Sequence, residues 1–232
     1  MKLSIVIPAL NEEASIEKTL MALDSRVKTG CEIIVVDDHS TDNTAQIVGD
    51  LSAKRKNIRL VKNNQGPGFA NALMAGFRSV GTDVVVPVMA DLCDEPETID
   101  AMFEKISEGF DVVCGSRYMP SGKKIGGPKI QSFFSRLVCH AVFLVTRVPT
   151  RDISNSFKMY RKNVLDRVSD IKGKGFEASM EMCMRAYRLG FKITEVPTTW
   201  IARKEGESKF RVFKLIFRYA GSIWRAIASR AK

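Results

Sequence analysis

Acidic side chains fall in three groups along this chain, each where an apolar run gives out: Glu12, then Asp37 with Asp38, then Asp91 with Asp94. The last group closes the stretch VVVPVMADLCDEP, Val84 to Pro96, whose valine-rich and nearly unbroken apolar run reads as a buried central strand ending at Asp91. Asp94, Glu95 and Pro96 then carry the marks of a helix start, with a capping carboxylate, a proline near the first helical position and acids in the first turn. A carboxylate at the carboxyl end of a central strand stands where open α/β sheets bind ligands. There it suits a divalent ion and the phosphates that such an ion carries. Taken singly, each acidic group reads as a helix cap or turn former. Their repetition at successive strand ends, which share one edge of a parallel sheet, points to a common crevice.

Other chemistries find little material. No Gly-x-Gly-x-x-Gly follows the first apolar run and no GxxxxGK[ST] occurs, so dinucleotide binding of the usual kind and P-loop chemistry lack support. Serine-nucleophile and zinc signatures are absent as well. His39 and His140 are the only histidines, too few for a histidine-based triad beside other duties. The five cysteines are scattered, odd in number and without a CxxC pair, which favours a reducing compartment and no structural zinc. What remains is an acid-lined nucleotide site carrying Mg²⁺ or Mn²⁺ near basic residues. The formal charge of +10 fits a polyanionic partner, whether phosphorylated substrate, anionic lipid or nucleic acid.

The elements that would position these residues alternate. Leu3 to Pro8 reads as a strand, and Asn11 with Glu12 and Glu13 opens an amphipathic helix bearing Ile16, Leu20 and Leu23 on one face. Glu32 to Val36 is a second strand running into the polar cluster Asp37 to Asp42. Ile58 to Val61 is a third, Gly66 to Gly68 a turn, and Phe69 to Ser79 a helix. Asp111 to Gly115 is a fifth strand after the central one. Strands separated by helices of about ten to fifteen residues predict a mostly parallel sheet flanked by helices on both faces, an α/β fold. At 232 residues the chain holds one large domain, residues 1–210, with residues 211–232 as an appended basic helix.

After Arg117 the texture changes. Met119 to Lys129 is rich in glycine, proline and lysine and predicts a mobile loop over the carboxyl edge. Ile130 to Val148 leaves only a narrow polar face, the pattern of a helix either buried or lying in an interface. Asn155 to Arg161 reads as a short strand or turn, Phe176 to Leu189 as a helix and Lys192 to Trp200 as a late strand. From Lys209 to Lys232 the chain interleaves Phe210, Phe213, Phe217, Tyr219 and Trp224 with basic residues and no acid, which suits an amphipathic helix on a membrane surface or a helix packed on the domain. No apolar stretch reaches the length of a spanning helix, and the first apolar run lacks a small-residue cleavage site, so the expectation is a peripheral protein without a cleaved leader.

Seven segments, in order, resemble one known family. IVIPALNEE, IIVVDDHSTDNT, MADLCDEP, GSRY, NSFKMYR, GFEASMEM and ARKEGESKF are similar to the successive blocks of the inverting family 2 glycosyltransferases of GT-A (Rossmann-like) fold, in the branch of dolichol-phosphate mannose synthases. Any one block is weakly specific; the ordered set covers nearly the whole chain. The resemblance implies transfer of a hexose, first mannose from GDP-mannose, to polyprenyl or dolichyl phosphate on the cytoplasmic face of a membrane. Glucose from UDP-glucose is the nearest alternative. A non-enzymatic nucleic-acid binder is the reading that rests on charge alone, and the resemblance implies no nucleic-acid partner.

Roles follow from the same resemblance. Pro8, Leu10, Glu12, Val36 and Asp38 would hold the nucleoside, with Asp38 accepting a hydrogen bond from the base. Met89, Ala90 and Asp91 would approach the diphosphate, with Asp91 binding the ion and Cys93 and Asp94 as further metal candidates. Phe176 and Glu177 would lie beside the donor sugar, and Arg203, Ser208 and Lys209 would close over the phosphates. Arg117 would make a bidentate contact to phosphate, joined at the acceptor by Gln131 and Ser135. Asp91, Arg117 and Arg203 are thus the implied catalytic residues. Three positions depart from the family: Met89 replaces the first acid of Asp-x-Asp, Cys93 a polar ligand, and Gln131 an arginine, for which Lys129 or Arg136 could substitute.

Overall fold

The computed structural model describes residues 1–168, 171 and 173–202, with the side chains of Lys129 and Gln131 left aside. Five strands and four helices alternate first: β1 (Leu3–Ala9), α1 (Ile16–Arg26), β2 (Cys31–Asp37), α2 (Thr44–Lys54), β3 (Ile58–Lys62), α3 (Phe69–Ser79), β4 (Val84–Pro87), α4 (Thr98–Ser107) and β5 (Val112–Ser116). There follow β6 (Lys123–Ile125), α5 (Lys129–Thr146), β7 (Lys158–Arg161), α6 (Lys162–Val168), α7 (Glu177–Arg188), β8 (Ile193–Pro197) and β9 (Thr199–Ile201). Seven strands form one sheet in the order β3-β2-β1-β4-β7-β5-β8, while β6 and β9 pair separately. All neighbours in the large sheet are parallel except β7, which runs antiparallel between β4 and β5.

Alternation along β1 divides the core. Ile5 and Ile7 face α1, α2 and α4 with Ile16, Leu20, Val48 and Ile99, whereas Val6 faces the opposite layer with Leu73 and Phe77 of α3 and Met180 of α7. The mostly parallel, helix-flanked sheet expected from the sequence is therefore present, buried on both faces.

Several boundaries differ from expectation. The central strand stops at Pro87 rather than Asp91. Val88 and Ala90 stay buried without continuing the ladder, so the apolar run reports burial more than pairing. Helix α4 starts at Thr98 and its N-cap position is Glu97, with no side-chain cap bond. Asp94 is instead bridged in antiparallel fashion to Trp200. Helix α1 begins at Ile16, because Asn11 takes a left-handed φ of 53° and spends its side chain on Thr41. Met119 to Lys129 is not simply a loop: β6 pairs with β9 there, and Ala202 N donates to Ile125 O at 2.9 Å.

Helix α5 is not a buried helix. Among its described side chains only Cys139 and Val142 are buried, whereas Ile130, Phe133, Leu137, Leu144 and Val145 are each at least half exposed, at 67%, 65%, 53%, 50% and 64%. Among the described residues no helix is long and apolar enough to cross a membrane. The expected appended helix, residues 211–232, lies outside the described residues.

Candidate functional site

Three adjacent parallel strands, β2, β1 and β4, deliver the acidic groups to one sheet edge. With neighbouring strands about 4.8 Å apart, their ends lie within roughly 10 Å of one another. Hydrogen bonds tie the segments that follow. Asp38 N donates to Ala9 O at 2.8 Å, Glu12 N to Thr44 Oγ1 at 2.8 Å, and Thr19 Oγ1 of α1 to Ala90 O at 2.8 Å. Glu12, Asp38 and Asp91 thus leave a single edge, as the spacing predicts.

Their surroundings refine the expected roles. Asp38 is buried, and its Oδ1 accepts from Asn63 Nδ2 at 2.7 Å while Oδ2 accepts from Gly68 N at 2.8 Å. It therefore holds the 63–68 turn, and any base contact would have to use its remaining lone pairs. Gly68 needs its φ of 139°, which a side chain would strain, and leads directly into Phe69. The Phe69 ring packs on Phe176 at 4.6 Å, so the nucleoside side is joined to the start of α7. There Glu177 is buried and its Oε1 accepts from Lys174 N and Gly175 N at 3.1 and 3.2 Å, which shapes the 174–177 turn. Pro8, Val36 and Ala90 are buried, while Leu10 and Met89 are half-buried. Val36 packs in the core with α3.

The Asp-x-Asp region offers one hard ligand. Asp91 Oδ1 accepts from Cys93 N at 3.2 Å, and Cys93 itself is 4% exposed, its carbonyl bonded by Ile201 N at 2.8 Å. A buried thiol suits neither Mg²⁺ nor Mn²⁺. Asp94 is also buried, and its Oδ1 has no hydrogen-bond partner among the described residues. Burial pushes its carboxyl up to about 7 against the pull of Arg117, with Asp91 adding to the rise. Among the described residues no three His, Cys, Asp or Glu side chains cluster to hold a metal. The donor set fits an ion held by Asp91 and by a ligand's own phosphates, the usual manner of Mg²⁺, and does not fit a protein-built cage.

Arg117, at the end of β5, is the best-anchored cation. Its Nε and Nη2 donate to the two carboxylate oxygens of Asp152 at 2.6 and 2.8 Å, Nη2 also reaches Ser154 Oγ at 3.1 Å, and its backbone N donates to Asp152 Oδ2 at 3.0 Å. Burial opposes both charges, yet each partner outweighs it for the other: the Arg117 pKa is raised and that of Asp152 lowered. Of the guanidinium's donors, only the Nη1 pair is left for a ligand. The expected fork-on-phosphate contact is thus replaced by a fork on Asp152. Ser135 Oγ lies 3.0 Å from both Tyr118 Oη and Ser154 Oγ, and Ser154 Oγ also accepts from Arg117 Nη2.

Sequence reasoning missed Asn63, Tyr118, Lys124, Asp152 and Ser154. Asp152 had one available signal, a lone acid within the mixed polar run TRDISNS. Arg203, Ser208 and Lys209 lie outside the described residues, as does the side chain of Gln131.

Comparison with known proteins bears on the family and the fold. The model of the family described as "Glycosyl transferase family 2" matches residues 4–169. The chain is 33% identical over 232 residues to a "Dolichol-phosphate mannosyltransferase" of Pyrococcus furiosus, covering 97% of this chain and 63% of that relative, so it spans under two thirds of the relative's length. It is 31% identical to an "Undecaprenyl-phosphate mannosyltransferase" of Micrococcus luteus, covering 90% and 87% of the two chains. Among solved structures, glucosyl-3-phosphoglycerate synthase of Mycobacterium tuberculosis, in complex with Mn²⁺, UDP and glucosyl-3-phosphoglycerate, superposes with a TM-score of 0.73 at 20% identity over 100% of this chain and 81% of that one. At that identity the likeness speaks for the GT-A fold alone.

Proposed function

The chain belongs to glycosyl transferase family 2, and on that premise we propose that it moves a hexose, mannose first, from a nucleotide sugar to a polyprenyl or dolichyl phosphate with inversion. One juxtaposition carries the reading. An acid-lined strand edge suited to a nucleotide lies two strands from Arg117 at the end of β5, whose partner Ser154 also bonds Ser135 of α5, the helix that exposes Ile130, Phe133, Leu137, Leu144 and Val145. Few substrates other than an anionic head on a greasy chain would use both halves. The names of the two relatives, both lipid-phosphate mannosyltransferases, support the same choice.

The chemistry suits the residues at hand. A lipid phosphate oxygen is already anionic near neutral pH, so the acceptor needs no histidine base. The chain must align that oxygen behind the anomeric carbon and stabilise the departing nucleoside diphosphate. Asp38 and Glu12 would orient the nucleoside, and Phe176 and the α7 turn would border the sugar. Arg117 Nη1, fixed by Asp152, would meet phosphate without reorganising. Asp91 would hold Mg²⁺ or Mn²⁺, which when bound neutralises charge on the leaving diphosphate. Arg203, Ser208 and Lys209 belong to the proposal as the closing segment. The exposed apolar residues of α5, with the basic tail 211–232, would rest on the cytoplasmic surface of a membrane, where the acceptor's chain resides.

The deciding experiment is a donor screen. Radiolabelled GDP- and UDP-sugars are offered with a polyprenyl phosphate, and the expected outcome is lipid-linked mannose from GDP-mannose. Lipid-linked glucose from UDP-glucose would transfer the reading to the other donor. Absence of lipid-linked product from every donor would end it.

A further inference from the structure

A buried lysine is bonded to two segments that border the site from different sides. Lys158 of β7 pairs with Cys114 of β5, and its fully buried side chain lies on the α7 side of the sheet. An ammonium has three N–H donors and no acceptor, and all three find partners here. Nζ donates to Ile153 O at 3.0 Å, to Asn155 O, and to Ser179 Oγ of α7 at 3.2 Å. Two carbonyls and a hydroxyl are uncharged acceptors, so the cation is buried with no carboxylate among the groups it bonds. An apolar side chain of similar volume often serves stability as well as a buried charge does. What distinguishes the lysine is the set of segments that its donors hold.

One of those segments is the turn that anchors Arg117. With the carbonyls of Ile153 and Asn155 drawn onto Nζ, the Asp152 carboxylate and the Ser154 hydroxyl are left to the guanidinium. The Asn155 side chain adds an anchor to the sheet, donating to Gly115 O at 3.0 Å. Burial raises the Asp152 carboxyl, Arg117 lowers it and the field of Lys158 adds to the lowering, so the ammonium also favours the ionised form that holds Arg117. The third donor reaches α7 one turn into the helix that Phe176 and Glu177 open, the residues set beside the donor sugar by the proposed function.

We propose that Lys158 is a positioning residue for sugar transfer, a buried joint that holds the Arg117 corner in register with the start of α7. In-line transfer needs the acceptor oxygen aligned behind the anomeric carbon, and an error of about 1 Å costs about 100-fold in rate. Hydrogen bonds are directional and apolar contact is not, so three donors fix a spacing that packing alone leaves free to slide. This inference rests on the sugar-transfer reading above.

The test compares the full chain in detergent as wild type, Lys158→Met, Lys158→Arg and Ser179→Ala. Met keeps the length of the stem and drops every donor, whereas Arg keeps charge and donors at the cost of bulk. With the donor and polyprenyl phosphate of the screen above, kcat should fall about 100-fold in Lys158→Met and about tenfold in Ser179→Ala, and Lys158→Arg should recover part of the loss. Calorimetric titration with that donor's nucleoside diphosphate should keep its stoichiometry in each variant. A lysine needed only for folding would instead lower the stoichiometry and leave kcat per binding site unchanged, which overturns the proposal. Hydrogen exchange read by mass spectrometry requires no substrate. Peptides covering residues 150–157 and 174–180 should both exchange about tenfold faster in Lys158→Met, and only the second in Ser179→Ala. Wild-type exchange in both peptides of Lys158→Met overturns the joint, as does Lys158→Arg with kcat no better than Lys158→Met. Should Lys158→Met fail to fold, wild-type kcat and exchange in Ser179→Ala overturn it equally. A chain that makes lipid-linked sugar but shows wild-type exchange refutes this inference and leaves the sugar-transfer reading standing, whereas a donor screen without product refutes that reading and, with it, any role of Lys158 in transfer.

Discussion

Asp94→Asn should stabilise the protein, and more so at alkaline pH. The wild-type carboxyl is 5% exposed, has Oδ1 without a partner among the described residues, and titrates at about 7 in the folded state against an ordinary value of 3.8. Below the unfolded value both states are protonated and the group costs nothing. Between the two values the folded chain keeps a proton that the unfolded chain has released, so stability falls as pH rises and levels off above the folded value. Roughly three units at 1.36 kcal/mol each give a penalty of about 4 kcal/mol at pH 8 and above. At pH 5 only the first part has accrued, leaving a difference between the two conditions of about 3 kcal/mol. The asparagine variant carries no such penalty at either pH. Thermal unfolding of both proteins at pH 5 and 8, without divalent ions or nucleotide, should show the variant's advantage widening by roughly 6–12 °C in Tm at the higher pH. An advantage that is constant or shrinks with pH would refute the claim that burial of this carboxylate outweighs the pull of Arg117.

Three further outcomes are expected. Asp152→Asn leaves the half of the pair that is 11% exposed, Arg117, short of its counter-charge, and should cost about 3–5 kcal/mol in urea unfolding; an unchanged midpoint would mean that the pair is not needed to hold Arg117. Gly76→Ala drives a methyl group of α3 into Val6 and Val36 of the sheet and should cost about 1–3 kcal/mol by the same assay, whereas a neutral result would show that α3 can lift away from β1 and β2. Asp91→Ala should abolish sugar transfer with Tm preserved, and wild-type rates would remove Asp91 from the mechanism.

The convergence of the acidic groups was legible because each of them follows its own strand. Apolar runs fix β1, β2 and β4, the acids come within a few positions of their ends, and parallel pairing does the rest. Exact ends were less readable. Burial of Val88 and Ala90 continues past the ladder, so the sequence pattern carried the strand to Asp91 although pairing stops at Pro87. Strand β7 was ambiguous for a different reason: KMYR looks polar, yet Lys158 is fully buried because the Ile153 and Asn155 carbonyls and Ser179 Oγ accept its protons. A periodicity argument treats a lysine as a surface residue and cannot see a cage of backbone oxygens.

The corner around Arg117 resisted reading because its parts meet only through tertiary pairing. Asp152 finds Arg117 across 35 residues of chain, Arg136 reaches Tyr118 from the next helix, and Lys124 depends on a three-residue strand pairing with β9. None of these leaves a spacing signature. The missing arginine at position 131 is therefore a poor guide to whether phosphate is recognised. Charge at such a corner can come from whichever element the fold brings near, provided a carboxylate fixes one cation and an aromatic ring spaces the next. Here Asp152 and Ser154 together take three of the five guanidinium N–H groups of Arg117, so that the Nη1 pair is what the described residues leave for any phosphate it meets.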